Sequence, residues 1–352
     1  PLEEREEGTV LDHLKRALAF SKTNTGAHGL PLLGFADWND CVNLQGDAES
    51  VMIANLYGRA LLEMIELMDY TGDDVAAANY RADHAEMKKV MNESVWDGEW
   101  FMRYFEADGT PIGSNQNSEG KIYTNAQSWS VFAGFADEER AKQALDSVHD
   151  KLNTPRGIKI SWPGYNGFDP SKGGITTYPP GAKENGGIFL HSNPWVMIAE
   201  TLVGNGDRAF QYYNQINPAA QNEQIERFEC EPYCYPQNIL GDEHPQFGLA
   251  RNSWLSGTSS WTYQAATKYI LGIMPTHEGL QISPCIPKEW DGFQVTRKFR
   301  GSMYKIAVKN PLHVSKGIEA IRVDGQAILS SIIPAYTDGG VHTVEVIMGS
   351  SS

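Results

Sequence analysis

Cysteine is scarce. Cys41, Cys230, Cys234 and Cys285 are the four in a chain of 352 residues, too few for a disulfide framework, and a reducing cytoplasm is the expected setting. Cys230 and Cys234 also lack zinc-type spacing and a matching pair elsewhere. Positive charge is in short supply: 29 Lys and Arg face 44 Asp and Glu, a net charge of −15, which argues against nucleic acid and anionic membranes. No apolar run approaches the ~20 residues of a membrane-spanning helix. No secretory signal is visible either, although the sequence opens at Pro1 without an initiator methionine. Common catalytic signatures are missing as well. There is no Gly-x-x-x-x-Gly-Lys-Ser/Thr phosphate loop, no Gly-x-Gly-x-x-Gly after a strand, no His-Glu-x-x-His and no Gly-x-Ser-x-Gly elbow. The nine histidines are scattered, which gives a metal site little support.

What is present is length for two or more domains with ample core, together with nine tryptophans and 15 tyrosines. Periodicity predicts a helix over 9–20 and a second one capped near Ser50 and stopped by Gly72. A third runs from Asp73 to about Val95. The stretch Trp96 to Gly113 reads as a hairpin turning at Asp108-Gly109. Helices follow over Asn125–Gly134 and Glu138–Leu152. From Thr154 to Gly187 the pattern breaks: 13 positions are Gly or Pro, and an irregular stretch of that length tends to carry function. Helices resume at Asn193-Pro194 and at Asp207, and again after Gly257, ending near Gly272. Beyond Met274 the period becomes two, in segments beginning at Leu280, Phe293, Met303, Ile318 and Val341. The expected fold is therefore mainly α, over 1–273, followed by an antiparallel all-β domain over 274–352.

Candidate chemistry lies in the loops. Gly29 to Leu44 places Asp37, Trp38, Asn39 and Asp40 consecutively. A flat ring beside carboxylates and an amide suits a sugar site, where the ring covers a pyranose face and an acid protonates a glycosidic oxygen. An Asx-turn with a buried tryptophan explains the same four residues. Glu184-Asn185-Gly186-Gly187 leads to His191, just before a helix start whose free N–H groups could help hold an anion; His191 could equally cap or pack. Thr258 and Ser259 after Gly257 form a second candidate anion nest, or plain helix caps. An inverting hydrolase needs two carboxylates, one of them to activate water. A phosphorolytic enzyme needs only the acid, because phosphate is itself the nucleophile, plus donors that hold phosphate in line with the anomeric carbon. The residues supply the second set more clearly.

These stretches carry a resemblance. Gly29-Leu30-Pro31 to Asp37-Trp38-Asn39-Asp40, Tyr178-Pro179-Pro180-Gly181-Ala182-Lys183-Glu184-Asn185-Gly186-Gly187-Ile188-Phe189-Leu190-His191, Glu231-Pro232-Tyr233 to Gln237 and Ser253-Trp254-Leu255-Ser256-Gly257-Thr258 resemble the inverting disaccharide phosphorylases of glycoside hydrolase family 94, the cellobiose and chitobiose phosphorylases. Pro284 to Trp290 and Val295-Thr296-Arg297 resemble the lead into that family's last domain. The likeness runs in order along essentially the whole chain. It implies part of an (α/α)6 barrel followed by an antiparallel β-sandwich, active as a homodimer. By the same resemblance Asp40 is the general acid and Trp38 the aromatic beside it. Tyr178, Lys183 and Glu184 line the sugar subsites, and Gln237 is a polar contact close to the phosphate and the donor sugar. His191 and Thr258 bind phosphate, with Ser259 nearby, and Asp37 holds the loop.

The implied reaction is phosphorolysis of a β-linked glucose disaccharide, cellobiose-type, to α-glucose 1-phosphate and a free sugar, with inorganic phosphate as co-substrate and no metal or organic cofactor. Two departures stand out. Gly174 occupies the place, four residues before Tyr178, where cellobiose-specific members carry glutamate, which leaves chitobiose, cellobionic acid or laminaribiose as alternatives. Family members are also more than twice this length, so the chain is expected to need an N-terminal half that completes the barrel and donor site. The rival readings are an inverting hydrolase with Glu184 as base and a non-catalytic carbohydrate-binding remnant.

Overall fold

The computed structural model describes residues 7–349; the outer ends of the two expected domains, 1–6 and 350–352, lie outside the described residues. Contacts divide the chain into two compact units. The first comprises the chain up to Thr154, then Lys159–Ile188 and Leu240–Phe247. The second comprises Pro155–Ile158, Phe189–Ile239 and Gly248 onward.

In the first unit, helix α1 (Val10–Thr23) opens with a capping box: Thr9 and Asp12 exchange side-chain and backbone hydrogen bonds. Helix α2 (Val51–Thr71) begins where Ser50 accepts from the Ile53 N–H and ends on Gly72 in the left-handed region, φ 78°. Helix α3 (Asp74–Val90) is capped by Asp73 and runs into a π-turn over Met91–Val95. Helices α4 (Thr124–Phe132) and α5 (Glu138–Leu152) follow, α5 capped by Asp137. Their apolar faces meet in one cluster that includes Leu61, Met64, Met68, Met91, Phe101 and Phe135. At Gly58, in the middle of α2, an added Cβ would stand 2.1 Å from the Phe135 ring, so the close approach requires glycine. The expected hairpin is present in short form, Tyr104–Phe105 against Pro111–Ile112, with Glu49–Ser50 on its other side. A second cluster, with Leu33, Val42, Tyr104, Tyr123 and Tyr165, packs beneath the polar loops.

In the second unit, α6 (Asn193–Leu202) and α7 (Gly206–Ile216) form a pair. The cap of α7 is Asn205, whose side chain accepts from Arg208 N–H, rather than Asp207. The segment 218–228 folds as a 3₁₀ turn and a short helix α8 (Ile225–Phe228), which the polar sequence there did not announce. Helix α9 (Thr258–Gln264) continues as a π-turn to Ile270, and the change to strands comes at Ile273. The 273/274 boundary therefore marks the change of period, while the second compact unit includes segments on both sides of it.

The strand-rich region holds two sheets. One orders 292–299, 302–309, 341–348, 318–323 and 326–328; the other orders 273–275, 279–282 and 332–334. Leu280, Ile282 and Ile333 of the second sheet share a core with Tyr304, Ile306, Val344 and Val346 of the first. The expectation of a wholly antiparallel domain is corrected at one ladder: Ser302–Lys309 and Val341–Met348 run parallel, with Met303 opposite Val341. Parallel neighbours need a long crossover, and here three strands, Ile318–Val323, Gln326–Ile328 and Ile332–Pro334, lie between them in the chain. Among the described residues no helix is long and apolar enough to cross a membrane.

Candidate active site

The residues singled out in the sequence divide between the two units. Asp37, Trp38, Asp40, Tyr178, Lys183 and Glu184 belong to the first; His191, Gln237, Thr258 and Ser259 belong to the second.

The Asp37–Asp40 turn is built on a buried ion pair. Arg103 Nη1 donates to Asp37 Oδ2 at 2.7 Å, and Arg103 Nη2 donates to Asp37 Oδ1 at 2.8 Å. Ser50 Oγ (2.6 Å), Tyr104 OH (3.2 Å) and Asn39 N–H (2.9 Å) donate to the same carboxylate. Burial pushes the Asp37 carboxyl up, but the Arg103 charge and these donors outweigh it and hold the group below its ordinary value. Arg103 Nη2 also donates to Asn39 Oδ1 at 2.9 Å, which fixes the residue next to Asp40. Asp37 is thereby fully engaged in holding the loop. Asp40 is exposed, and Trp38 is half-buried.

The Gly- and Pro-rich stretch is organised by the side chain of Asn185. Its Nδ2 donates to the carbonyls of Tyr178 (2.7 Å) and Tyr165 (2.9 Å), and its Oδ1 accepts from Tyr165 N–H at 2.6 Å. Gly181 sits at φ 80°, and a Cβ there would lie 2.7 Å from the His244 nitrogen. This frame sets Glu184, 6% exposed, against the Asp37–Asp40 turn: Cys41 Sγ donates to Glu184 Oε2 at 2.8 Å. Burial raises the Glu184 carboxyl above its ordinary value, and the Asp40 charge adds to the rise while the Cys41 hydrogen bond opposes it. Burial and then the Glu184 charge raise the Cys41 thiol in turn, so it stays protonated. The Lys183 ammonium lies 5.4 Å from the centre of the half-buried Tyr178 ring. One face of the first unit thus gathers Asp40, Cys41 and Glu184, although 143 residues separate the last two.

In the second unit His191 lies in a 3₁₀ turn, Leu190–Ser192, that leads into α6. Asn193 anchors that turn, with Oδ1 accepting from Ile158 N–H at 2.8 Å and Nδ2 donating to Ile158 O at 3.0 Å. The His191 ring packs 5.1 Å from that of Trp195 and directly over Gly257, where a Cβ would stand 2.7 Å from Cε1. Burial lowers the His191 imidazole below its ordinary value, so at neutral pH it offers one N–H donor and no charge. Beside it begins α9. The Thr258 hydroxyl is buried and hydrogen-bonded with Ser256 Oγ, which also accepts Thr258 N–H at 3.1 Å. Ser259 is exposed. Gln237 is half-buried on the strand Pro236–Ile239, antiparallel to Ala250–Ser253. The second unit therefore brings the His191 ring and the Gly257-Thr258 turn together.

Sequence reasoning missed Arg103, Cys41 and Asn185. Arg103 carried a signal, a charge inside the apolar run Trp100 to Phe105. Cys41 and Asn185 act through partners that only folding reveals.

Residues 1–272 match the Glycosyl hydrolase 94 superfamily catalytic domain. The chain is 41% identical over 345 residues to an N,N'-diacetylchitobiose phosphorylase of Vibrio proteolyticus, covering 97% of this chain and 43% of that protein. It is 34% identical over 345 residues to a solabiose phosphorylase of Paenibacillus borealis, covering 97% of this chain and 45% of that one. The chain thus spans less than half the length of these relatives. Among solved structures, the fold resembles a GH78 rhamnosidase of Bacillus sp. GL1, with TM-score 0.57 and 12% identity over 97% of this chain and 32% of that one.

Proposed function

Because this chain belongs to the glycosyl hydrolase 94 superfamily, we propose that it carries the acid and the phosphate-binding groups of an inverting disaccharide phosphorylase. Asp40 protonates the glycosidic oxygen. Phosphate, held by donors from His191 and the Thr258-Ser259 turn, attacks the opposite face of the anomeric carbon. The C–O bond to the acceptor sugar breaks, and an α-sugar 1-phosphate forms. Trp38, Tyr178, Lys183, Glu184 and Gln237 line the sugar positions. The reaction uses phosphate as co-substrate and needs no metal or organic cofactor.

The observation that carries this reading is the separation of three acids into three states. Asp37 is neutralised by Arg103, Glu184 is buried against a thiol, and Asp40 alone of the three is exposed. A lone accessible acid suits phosphorolysis better than hydrolysis, which requires a second carboxylate to activate water. In the wider architecture, the helix pairs form part of an (α/α)6 barrel over 1–273 and the two sheets form a β-sandwich over 274–352. The working enzyme is a cytoplasmic homodimer whose N-terminal half completes the donor site.

The β-linked glucose disaccharide is the first substrate to test. A second reading, an N-acetylglucosamine disaccharide, is favoured by the resemblance to a diacetylchitobiose phosphorylase. Gly174, where an added Cβ would lie 3.5 Å from Cys41 Cβ, sits beside the acid-bearing turn and leaves the acceptor sugar open. In the full-length enzyme, Asp40→Asn is expected to lower phosphorolysis by about 10²–10⁴-fold with folding unchanged. Retention of most activity would assign the acid elsewhere. Glucose 1-phosphate and N-acetylglucosamine 1-phosphate, each offered with a panel of acceptor sugars, decide between the two substrates.

A further inference from the structure

The 230–234 loop brings together two thiols and a carboxylate that the proposed reaction does not use. The sulfurs of Cys230 and Cys234 and a carboxylate oxygen of Glu231 all lie within 4.8 Å of one another. The Cys234 N–H donates to Glu231 O at 3.1 Å, closing a turn through Tyr233 at φ 70°. A facing loop supports it from behind. Trp254 N–H donates to Cys234 Sγ at 3.2 Å, and Ser253 Oγ lies 3.4 Å from Cys230 Sγ. The thiols are 4% and 0% exposed, whereas Glu231 is at the surface. Two soft ligands are thus fixed on the inside, with a hard ligand at the surface. The spacing Cys-x-x-x-Cys alone does not announce a site; the third ligand comes from the tight turn.

We propose that Cys230, Cys234 and Glu231 bind one thiophilic divalent cation of the zinc class, with solvent in the fourth position. Both thiols lose their protons to solvent on binding, and the ion ties the 230–234 turn into a single rigid piece ahead of the strand that carries Gln237.

The test titrates the reduced, metal-free full-length enzyme with Co²⁺ and then Zn²⁺. A sulfur-to-cobalt charge-transfer band saturating at one equivalent and displaced by Zn²⁺ is expected. Cys234→Ser should abolish the band, and Cys285→Ala should leave it. Glu231→Gln, at the surface, should keep the band but weaken binding about tenfold or more. It decides alone if Cys234→Ser does not fold, judged by circular dichroism. No band, a band that survives Cys234→Ser, an affinity unchanged in Glu231→Gln, or conversion of the pair to a disulfide that Zn²⁺ does not prevent would each overturn the site.

Discussion

Arg103 holds Asp37 with two parallel hydrogen bonds, 2.7 and 2.8 Å, and the two side chains are 0% and 1% exposed. Removing one partner leaves an uncompensated buried charge, so Arg103→Met is expected to destabilise the fold by about 3–5 kcal/mol. The double variant Asp37→Leu/Arg103→Met should recover much of that loss, because no charge is then left unpaired. The Asp37 carboxyl is held below its ordinary value of 3.8. Its contribution is therefore fully present above about pH 5 and is lost as pH falls through the lowered folded value. Denaturant unfolding between about pH 3 and pH 7 should show this acid-side loss in the native chain and a flatter profile in Arg103→Met. An Arg103→Met profile as steep as the native one would mean that other acids dominate.

The bond from Cys41 to Glu184 makes a chemical prediction. The thiol is partly exposed, yet burial and the neighbouring carboxylate keep it protonated, and the thiolate is the reactive form. Cys41 should therefore alkylate slowly with iodoacetamide at neutral pH. Glu184→Gln removes the carboxylate charge and should speed the reaction, as read by peptide mass spectrometry. Equal rates in both proteins would deny the electrostatic coupling.

Gly257 isolates the role of His191. Its backbone, φ −80° and ψ 6°, suits any residue, so Gly257→Ala introduces no backbone strain. The new Cβ meets the imidazole at 2.7 Å and must displace it. If His191 binds phosphate, the displacement should lower phosphorolysis by about 10- to 100-fold, seen mainly as a raised KM for phosphate with little change for the sugar. A sugar-only effect would move His191 out of the phosphate site.

In the strand-rich region His342 lies between two acids, with Nδ1 2.8 Å from Asp324 Oδ2 and Nε2 3.2 Å from Asp338 Oδ1. It also stacks on Tyr336, ring centres 4.0 Å apart. The hydrogen bond with Asp324, assisted by Asp338, raises the imidazole above its ordinary 6.5. A raised folded value stabilises below the unfolded value and loses that contribution as pH rises through the folded one. Tm should thus fall between about pH 6 and pH 8.5 in the native chain, and this component of the fall should vanish in His342→Gln.

Local chemistry made much of the fold legible. Helix α5 begins and ends where Glu138 and Leu152 said it would, because Asp137 caps an amphipathic run with acids first and His149 and Lys151 last. The strand segments after Met274 were legible because one face is buried and the period of two survives, as along Ser302–Lys309. What was hidden depends on long-range pairing. The parallel ladder of 302–309 with 341–348 has no local sign. Nor did the sequence reveal Asn185 as the side chain that organises the Gly- and Pro-rich stretch, since its partners Tyr165 and Tyr178 are joined to it only by folding. The candidate residues stood out as motifs in the sequence, whereas the engagement of Asp37 in a buried ion pair, with Asp40 left exposed, needed Arg103.

The most direct measurement is the anomeric form and phosphate dependence of the product, followed by NMR as the full-length enzyme acts on a β-linked disaccharide. An α-sugar 1-phosphate that forms only when phosphate is present, and is nearly lost in Asp40→Asn, is the expected product. Release of free sugars at the same rate without phosphate, or a β-configured phosphate, would contradict it.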